Sequence, residues 1–250
     1  MEATEIRRTF ELEDRHWWFR ERRAILAREL RRLGGPGRAL DIGAAGGGNT
    51  RVLIEHGWDA LVADFSETAV QLARTRGLSA IHADARHLPL PDEHFDLVLA
   101  FDVLEHIEED DRAVRELVRV LRPGGTALIT VPCDMALWSA HDVASGHFRR
   151  YTRDGLRALM IGECLVLERM WSWNVLLRPI VARRRKHISG SDVMETPPLV
   201  NLALSAVVVA ERYLPVRSLP GVSLIARAHR PYDSAASGLT ASDAGEWNAG

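Results

Sequence analysis

Between Arg38 and Pro132 the chain repeats one pattern: a short apolar run, a turn, then an amphipathic stretch. "RALDIG" reads as a buried strand running into a glycine-rich turn, and "TRVLIEHG" as the helix after it. "DALVADFS" and "SETAVQLARTRG" form the next such pair, with Ser66 as N-cap and Gly77 as stop. "SAIHADA", the start of "FDLVLAFDVLEHI" and "TALITVP" follow as strands, and "EEDDRAVRELVRVLRPGG" as a helix closed by Pro-Gly-Gly. "CLVLERMWSW" and "GVSLIARAHR" are later strands. Strands alternating with helices predict a Rossmann-like, doubly wound α/β fold with a mostly parallel sheet.

Upstream, residues 5–33 read as one helix stopped by "GGPG". At helical spacing Phe19, Leu26, Leu30 and Leu33 share a face, with Trp18 on its flank beside Ile25. Trp17 points almost opposite, so a second element must cover it. Downstream, the longest apolar run, "LVNLALSAVVVA" from Leu199 to Ala210, is too short and too interrupted to span a bilayer and is expected as a buried helix. The basic cluster "RRRK" ahead of it, Arg183 to Lys186, keeps a weak membrane-surface contact open. The small polar stretch at residues 233–250 is expected to be a disordered tail.

In such a sheet, ligands bind beyond the carboxyl ends of the strands. The first strand ends in "DIGAAGGGN", where Gly43, Gly46, Gly47 and Gly48 allow a tight turn and close ligand approach. Ala44 and Ala45 break the dinucleotide pattern GxGxxG, and no phosphate-binding lysine follows. The second strand ends in Asp64, placed to accept from both hydroxyls of a ribose, and the third in Asp84-Ala85, placed to meet an adenine amino group. Carboxylates after successive strands and a phosphate-free turn suit a cationic nucleoside.

"LDIGAAGGGNT", "VADFSETAVQLAR", "HADARHLPLPDEHFDLVLAFDVLEHI" and "VLRPGGTALITVP", over residues 38–132, resemble the ordered motifs of class I S-adenosylmethionine-dependent methyltransferases. "EDRHWWFRERR", "HDVASGHFRRYT" and "LPGVSLIARAHRP" further resemble a bacterial subgroup with an N-terminal HWWFxxRR signature. Ala45 departs from the family turn, which usually has its second glycine there. The resemblance implies a seven-stranded sheet, an N-terminal helical cap at 1–37, a methyltransferase domain at 38–232 and an acceptor pocket built from 153–230. It implies S-adenosyl-L-methionine as cofactor. Asp41, Gly43, Ala44 and Gly47 would cradle its methionine end, Asp64 the ribose, Phe65 and Ser66 the adenosine, and Asp84 and Ala85 the adenine edge. Phe101, Asp102 and His106 would lie beside the methyl, with Trp18 closing from the N-terminal helix and Arg22 and Arg23 reaching the cofactor carboxylate or an anionic acceptor.

A sulfonium methyl needs only an aligned nucleophile, and a base where the acceptor must lose a proton. His141, Asp142 and His147, just past the fifth strand, are the catalytic candidates. Trp17, Arg149, Arg150 and Tyr151 are the candidates for holding the acceptor. His141, Asp142 and His147 match no familiar metal spacing, so no metal is expected. The acceptor is expected to be a small or lipid-linked molecule, anionic or amphiphilic, methylated at O, N or C. A catalytically silent S-adenosylmethionine-binding regulatory module is the alternative. Nucleic acid is disfavoured by the net charge of −2 and by "AFDVLEH", which lacks the Pro-Pro-aromatic motif of amino-group DNA methylation. Two cysteines and no apolar leader at residues 1–16 point to a cytoplasmic location.

Overall fold

The computed structural model describes residues 3–185 and 196–232. Lys186 and the expected tail at 233–250 lie outside the described residues. Seven strands form one sheet: β1 (Arg38–Ile42), β2 (Asp59–Asp64), β3 (Ser79–His82), β4 (Phe95–Phe101), β5 (Leu121–Pro132), β6 (Val166–Trp173) and β7 (Ser223–His229). Their order is β3-β2-β1-β4-β5-β7-β6, with β7 antiparallel to both neighbours and the pairs among β1 to β5 parallel. This is the class I methyltransferase arrangement. The order reverses between β1 and β4, so the crevice for a ligand opens at the carboxyl ends of these two strands. β1 and β4 are buried on both faces, as their continuous apolar runs require.

Helices cover both faces: α1 (Ala3–Leu12), α2 (Trp17–Leu30), α3 (Gly48–Glu55), α4 (Glu67–Thr75), α5 (Asp110–Val120), α6 (Ala140–Ala144), α7 (Arg153–Gly162), α8 (Arg178–Arg185) and α9 (Pro198–Glu211). One core layer joins β1, β4 and β5 to α5 and α7 through Leu40, Val98, Ile129, Val114, Leu117 and Leu156. The opposite layer packs Leu26 and Leu30 of α2 with Leu53, Leu97, Leu99 and Trp58.

Three expectations change. The single helix over 5–33 is two helices. The His16 ring accepts the Trp18 N–H at 3.3 Å as the N-cap of α2, so a new helix starts where no glycine or proline marks a stop. β5 begins at Leu121, so Pro123-Gly124-Gly125 lie inside a strand whose register shifts between Phe95 and Leu97. The bulged pairing takes up residues that read as a helix terminator. Third, the run from Leu199 to Ala210 is a helix but not a buried one. Leu199 is 81% exposed and Leu202 66%, and only Val208 and Glu211 of α9 are buried. α9 rests against α2 by one side, leaving an apolar face outward. No helix among the described residues is long and apolar enough to cross a membrane.

Candidate active site

The glycine turn is shaped by close neighbours. Gly43 has φ +65°, and a Cβ there would stand 2.5 Å from Val103 Cγ2. Ala45 also adopts a left-handed backbone, φ +48°. It is held there by its N–H, which donates to Asp64 Oδ2 at 2.9 Å. The left-handed region costs an alanine roughly 1–2 kcal/mol. Ala45→Gly is expected to stabilise the fold by about 0.5–1 kcal/mol after the extra chain entropy of glycine is deducted, raising Tm by about 2 °C. A lower Tm on calorimetry would mean that the methyl group, not the angle, matters.

Asp64 accepts from Ser66 N as well, at 2.8 Å on Oδ1, and so ties the ends of β1 and β2 together. Each carboxylate oxygen keeps a further lone pair. Burial pushes the Asp64 carboxyl up, against these two backbone bonds. Phe65 stands 70% exposed beside the His82 ring, an uncovered aromatic face. Asp84 is engaged by the guanidinium of Arg86, whose hydrogen bonds hold its carboxyl below the usual range, and Ala85 is buried. Asp41 is buried; Thr50 donates to its Oδ2 at 2.6 Å, while its Oδ1 has no partner among the described residues. Burial raises this carboxyl to about 7, opposed by the Thr50 bond and the charge of Arg22.

α1 lies over the turn. A Cβ at Gly46 would strike the Phe10 ring, and one at Gly48 the Glu13 carboxylate. Arg76, the C-cap of α4, stacks on Phe10 at 3.8 Å, donates to the Gly46 carbonyl at 2.7 Å and pairs with Glu13.

A cavity of about 400 Å³ begins at Gly43 and Ala45 and passes Phe101, Asp102, Glu105, His106, His141 and His147. Asp102 closes β4 with φ +57°; Arg22 donates to its Oδ2 at 2.6 Å and Thr130 to its Oδ1 at 2.9 Å. Asp142 caps α6 through Ser139 and accepts from His147 Nδ1 at 3.0 Å and Arg150 Nε at 2.8 Å. Burial pushes its carboxyl up, but the His147 bond and the charge of Arg185 prevail, and the net direction is down. The His147 ring stands edge-on to His106 at 4.6 Å and to His141 at 5.9 Å. Burial drops His106 to about 4. Glu105, in the 3-10 turn Leu104–His106, is 1% exposed, and burial raises its carboxyl well above the ordinary value. Its carbonyl accepts from Phe148 N at 2.7 Å, tying this turn to the loop that carries His147.

The structure thus brings His141, His147, Asp102, His106, Phe101, Gly43, Trp17, Trp18 and Arg150 to one cavity, with Asp142 behind His147. It turns several candidates away. Arg23 donates to the Glu13 carbonyl at 2.8 Å and bridges to Asp14, fixing the turn between α1 and α2; Arg22, one residue earlier, reaches the cavity instead. Arg149 pairs with Asp110 at 2.9 Å, and the Tyr151 hydroxyl donates to the same carboxyl at 2.7 Å. Arg150, although on the wall, spends its guanidinium on Asp142 and the Cys133 carbonyl. Asp64, Phe65, Ser66, Asp84 and Ala85 sit outside this cavity along the same strand ends. Glu105 was not singled out, because a lone Glu after an apolar run carries no spacing signal.

Trp18 and Trp17 divide their work. Trp18 packs on Trp173 at 4.4 Å, in a cluster with Ile25, Trp171 and Ile225. Trp17 meets Trp18 edge-on at 5.6 Å, and its backbone N–H donates to Asn201 Oδ1 of α9 at 2.8 Å. Trp18→Ala is expected to cost about 2–4 kcal/mol in urea unfolding, and Trp17→Ala less than about 1 kcal/mol while raising the acceptor KM. Equal stability losses would contradict this division.

Residues 40–129 match the family model described as a methyltransferase domain. A Mycobacterium tuberculosis protein named a probable S-adenosylmethionine-dependent methyltransferase is 27% identical over 213 residues, 80% of this chain and 77% of its own. A ubiquinone/menaquinone biosynthesis C-methyltransferase of Pseudomonas paraeruginosa is 32% identical over 122 residues, 43% of this chain and 48% of its own. Among solved structures, an S-adenosylmethionine-dependent methyltransferase from Mesorhizobium loti superposes with a TM-score of 0.59 at 19% identity, over 87% of this chain and 100% of that one. The cyclase SpnF gives 0.58 at 22% identity, over 85% of this chain and 81% of that one. At such identities these two show the fold alone.

Proposed function

We propose that this chain, an S-adenosylmethionine-dependent methyltransferase on the class I fold, methylates an amphiphilic acceptor, small or lipid-linked, in the cavity between the glycine turn and α9. The residues present fit the cofactor. Gly43 and Gly47 are left-handed, a buried Asp41 oxygen lacks a partner among the described residues, and Asp64 keeps free lone pairs beside an exposed Phe65. When bound, S-adenosylmethionine supplies a methyl group already activated by its sulfonium.

The observation that carries the reading is the single cavity in which the glycine turn, Asp102 and the Asp142-held His147 meet apolar walls. Those walls are Leu177, Ile180 and Val181 around α8 and Val200 and Leu204 of α9. Arg184 and Arg185 edge the same opening. A long apolar acceptor with a polar reacting end fits such a pocket. Outside the cavity lining, Leu199, Leu202 and the 83%-exposed Tyr213 are further uncovered side chains on and just after α9.

The chain's own residues then have assignable work. The glycine turn and Asp41 hold the methionine end, and Asp64, Phe65 and Ala85 the nucleoside. Arg22 fixes Asp102 at the floor. On this reading His147 takes the proton of the acceptor nucleophile, and Asp142 fixes its tautomer by taking Nδ1–H. The helices exclude water from the reacting centre. The test is incubation of the purified chain with methyl-labelled S-adenosylmethionine and a bacterial extract split into organic and aqueous phases. Label entering the organic phase is expected; label confined to protein or nucleic acid would refute an amphiphilic acceptor. A silent regulatory module finds no support here.

A further inference from the structure

We propose that Glu105, His106 and His147 form a binding site for one divalent transition-metal ion, with Asp142 orienting His147 from behind. One ligand atom of each residue lies within 4.8 Å of the other two. Metal bonds of ~2.0–2.2 Å to imidazole nitrogen and carboxylate oxygen require closer edges, so the trio must contract by about 1 Å, within the reach of side-chain rotation.

Three further observations point to a cation. First, Glu105 Oε2 is buried without a hydrogen-bond partner among the described residues, and its residue is 1% exposed. A buried carboxylate without a partner is costly, and a bound cation removes that cost. The nearby charges are already committed: Arg22 to Asp102 and Arg150 to Asp142. Second, the His147 imidazole is held from its far side: it gives Nδ1 to Asp142, leaving Nε2 for a ligand bond. A metal-ligating histidine characteristically gives its other ring N–H to a carboxylate or carbonyl. Third, the site faces the cavity. Two histidines and one carboxylate leave coordination positions open and suit zinc, iron or cobalt better than magnesium or calcium.

The trio considered from sequence, His141, Asp142 and His147, is not the site. Asp142 supports its neighbours: its oxygens serve His147, Arg150 and Ser139. The adjacency Glu105-His106 brings the carboxylate instead, because a 3-10 turn sets both side chains toward the loop of His147.

On the methyl-transfer reading, and resting on it, His147 Nε2 is the base in the metal-free chain, whereas with the cation bound it is a ligand, and an acceptor hydroxyl in an open position would release its proton to solvent near neutral pH. Its oxygen pair would then form the new C–O bond as the S–CH3 pair returns to sulfur.

The metal site itself is tested without turnover. The untagged full chain is stripped with chelator and titrated with Co²⁺, followed by its visible ligand-field absorption. One equivalent is expected to give an intense spectrum of low coordination number that Zn²⁺ abolishes. Glu105→Gln and His147→Ala should each weaken Co²⁺ at least tenfold, with affinity for S-adenosylmethionine by calorimetry unchanged. A spectrum of the aqueous ion, or parent-like binding by Glu105→Gln, an isosteric change that keeps the fold, would mean an adventitious ion only and overturn the proposal. Failure to bind S-adenosylmethionine would defeat the methyl-transfer reading and leave the cobalt result standing.

Discussion

His147→Ala is expected to lose about a thousandfold in turnover while binding S-adenosylmethionine as the parent does. A positioned group that removes a proton from the nucleophile contributes typically ~10²–10⁴-fold. His147 is the histidine of the cavity whose ring is locked by a fully buried carboxylate, Asp142, and whose second nitrogen is left for chemistry. Its removal does not strand Asp142, which keeps Arg150 at 2.8 Å. The fold should therefore survive, with Tm shifted by no more than a few degrees. Asp142→Asn is the poorer probe, because it also disturbs a buried ion pair and the cap of α6. Stopped-assay turnover within threefold of the parent would remove His147 from the reaction.

The second large effect concerns Asp41. Burial raises its carboxyl from the ordinary value of 3.8 to about 7, with Thr50 and Arg22 opposing and Asp64 and Glu13 reinforcing. A folded-state value above the unfolded one means that the native state binds this proton more tightly. The contribution is then most favourable below about 4 and is lost as pH rises toward 7. At about 1.4 kcal/mol per unit, the cost in the cofactor-free protein at pH 8 approaches about 4 kcal/mol. Asp41→Asn should accordingly stabilise the apo protein at pH 8 by a few kcal/mol and change little at pH 4. The cofactor reverses the sign. A cationic methionine end prefers the ionised carboxylate, so its affinity should climb by up to tenfold per pH unit to about 7 and then level. In Asp41→Asn that slope should vanish and affinity at pH 8 should fall about 10- to 100-fold, the scale of a lost charged hydrogen bond. Calorimetry across pH 5.5–8.5 checks both. A flat profile in the parent would place the carboxylate out of the cofactor's reach.

The sheet was legible because a strand buried on both faces must be written as a continuous apolar run, as "LVLAF" of β4 and "ALITV" of β5 are. The strand-end carboxylates Asp41, Asp64 and Asp102 were legible for the same reason: polarity returns where the sheet ends. What stayed hidden depends on partners far along the chain. The break between α1 and α2 is made by an imidazole cap and by Glu13 turning to Arg76, 63 residues on. Which of Arg22 and Arg23 faces the cavity follows from the orientation of α2 after that break, which a single helix over 5–33 misplaces. Glu105 is invisible as a site residue until Phe148 binds its carbonyl and brings His147 alongside. The outward face of α9 contradicts its composition. Hydropathy reports that such a helix wants to be covered, and not by what.

Asn201 has a bearing on how the two halves of the cavity move. From α9 its amide oxygen takes the Trp17 N–H at 2.8 Å while its nitrogen gives to the Arg15 carbonyl at 3.1 Å. One side-chain amide thereby rivets the apolar outer wall to the hinge between the first two helices, and α1 is the helix that roofs the glycine turn. Any guest that levers α9 outward must shear both hydrogen bonds or drag the roof along.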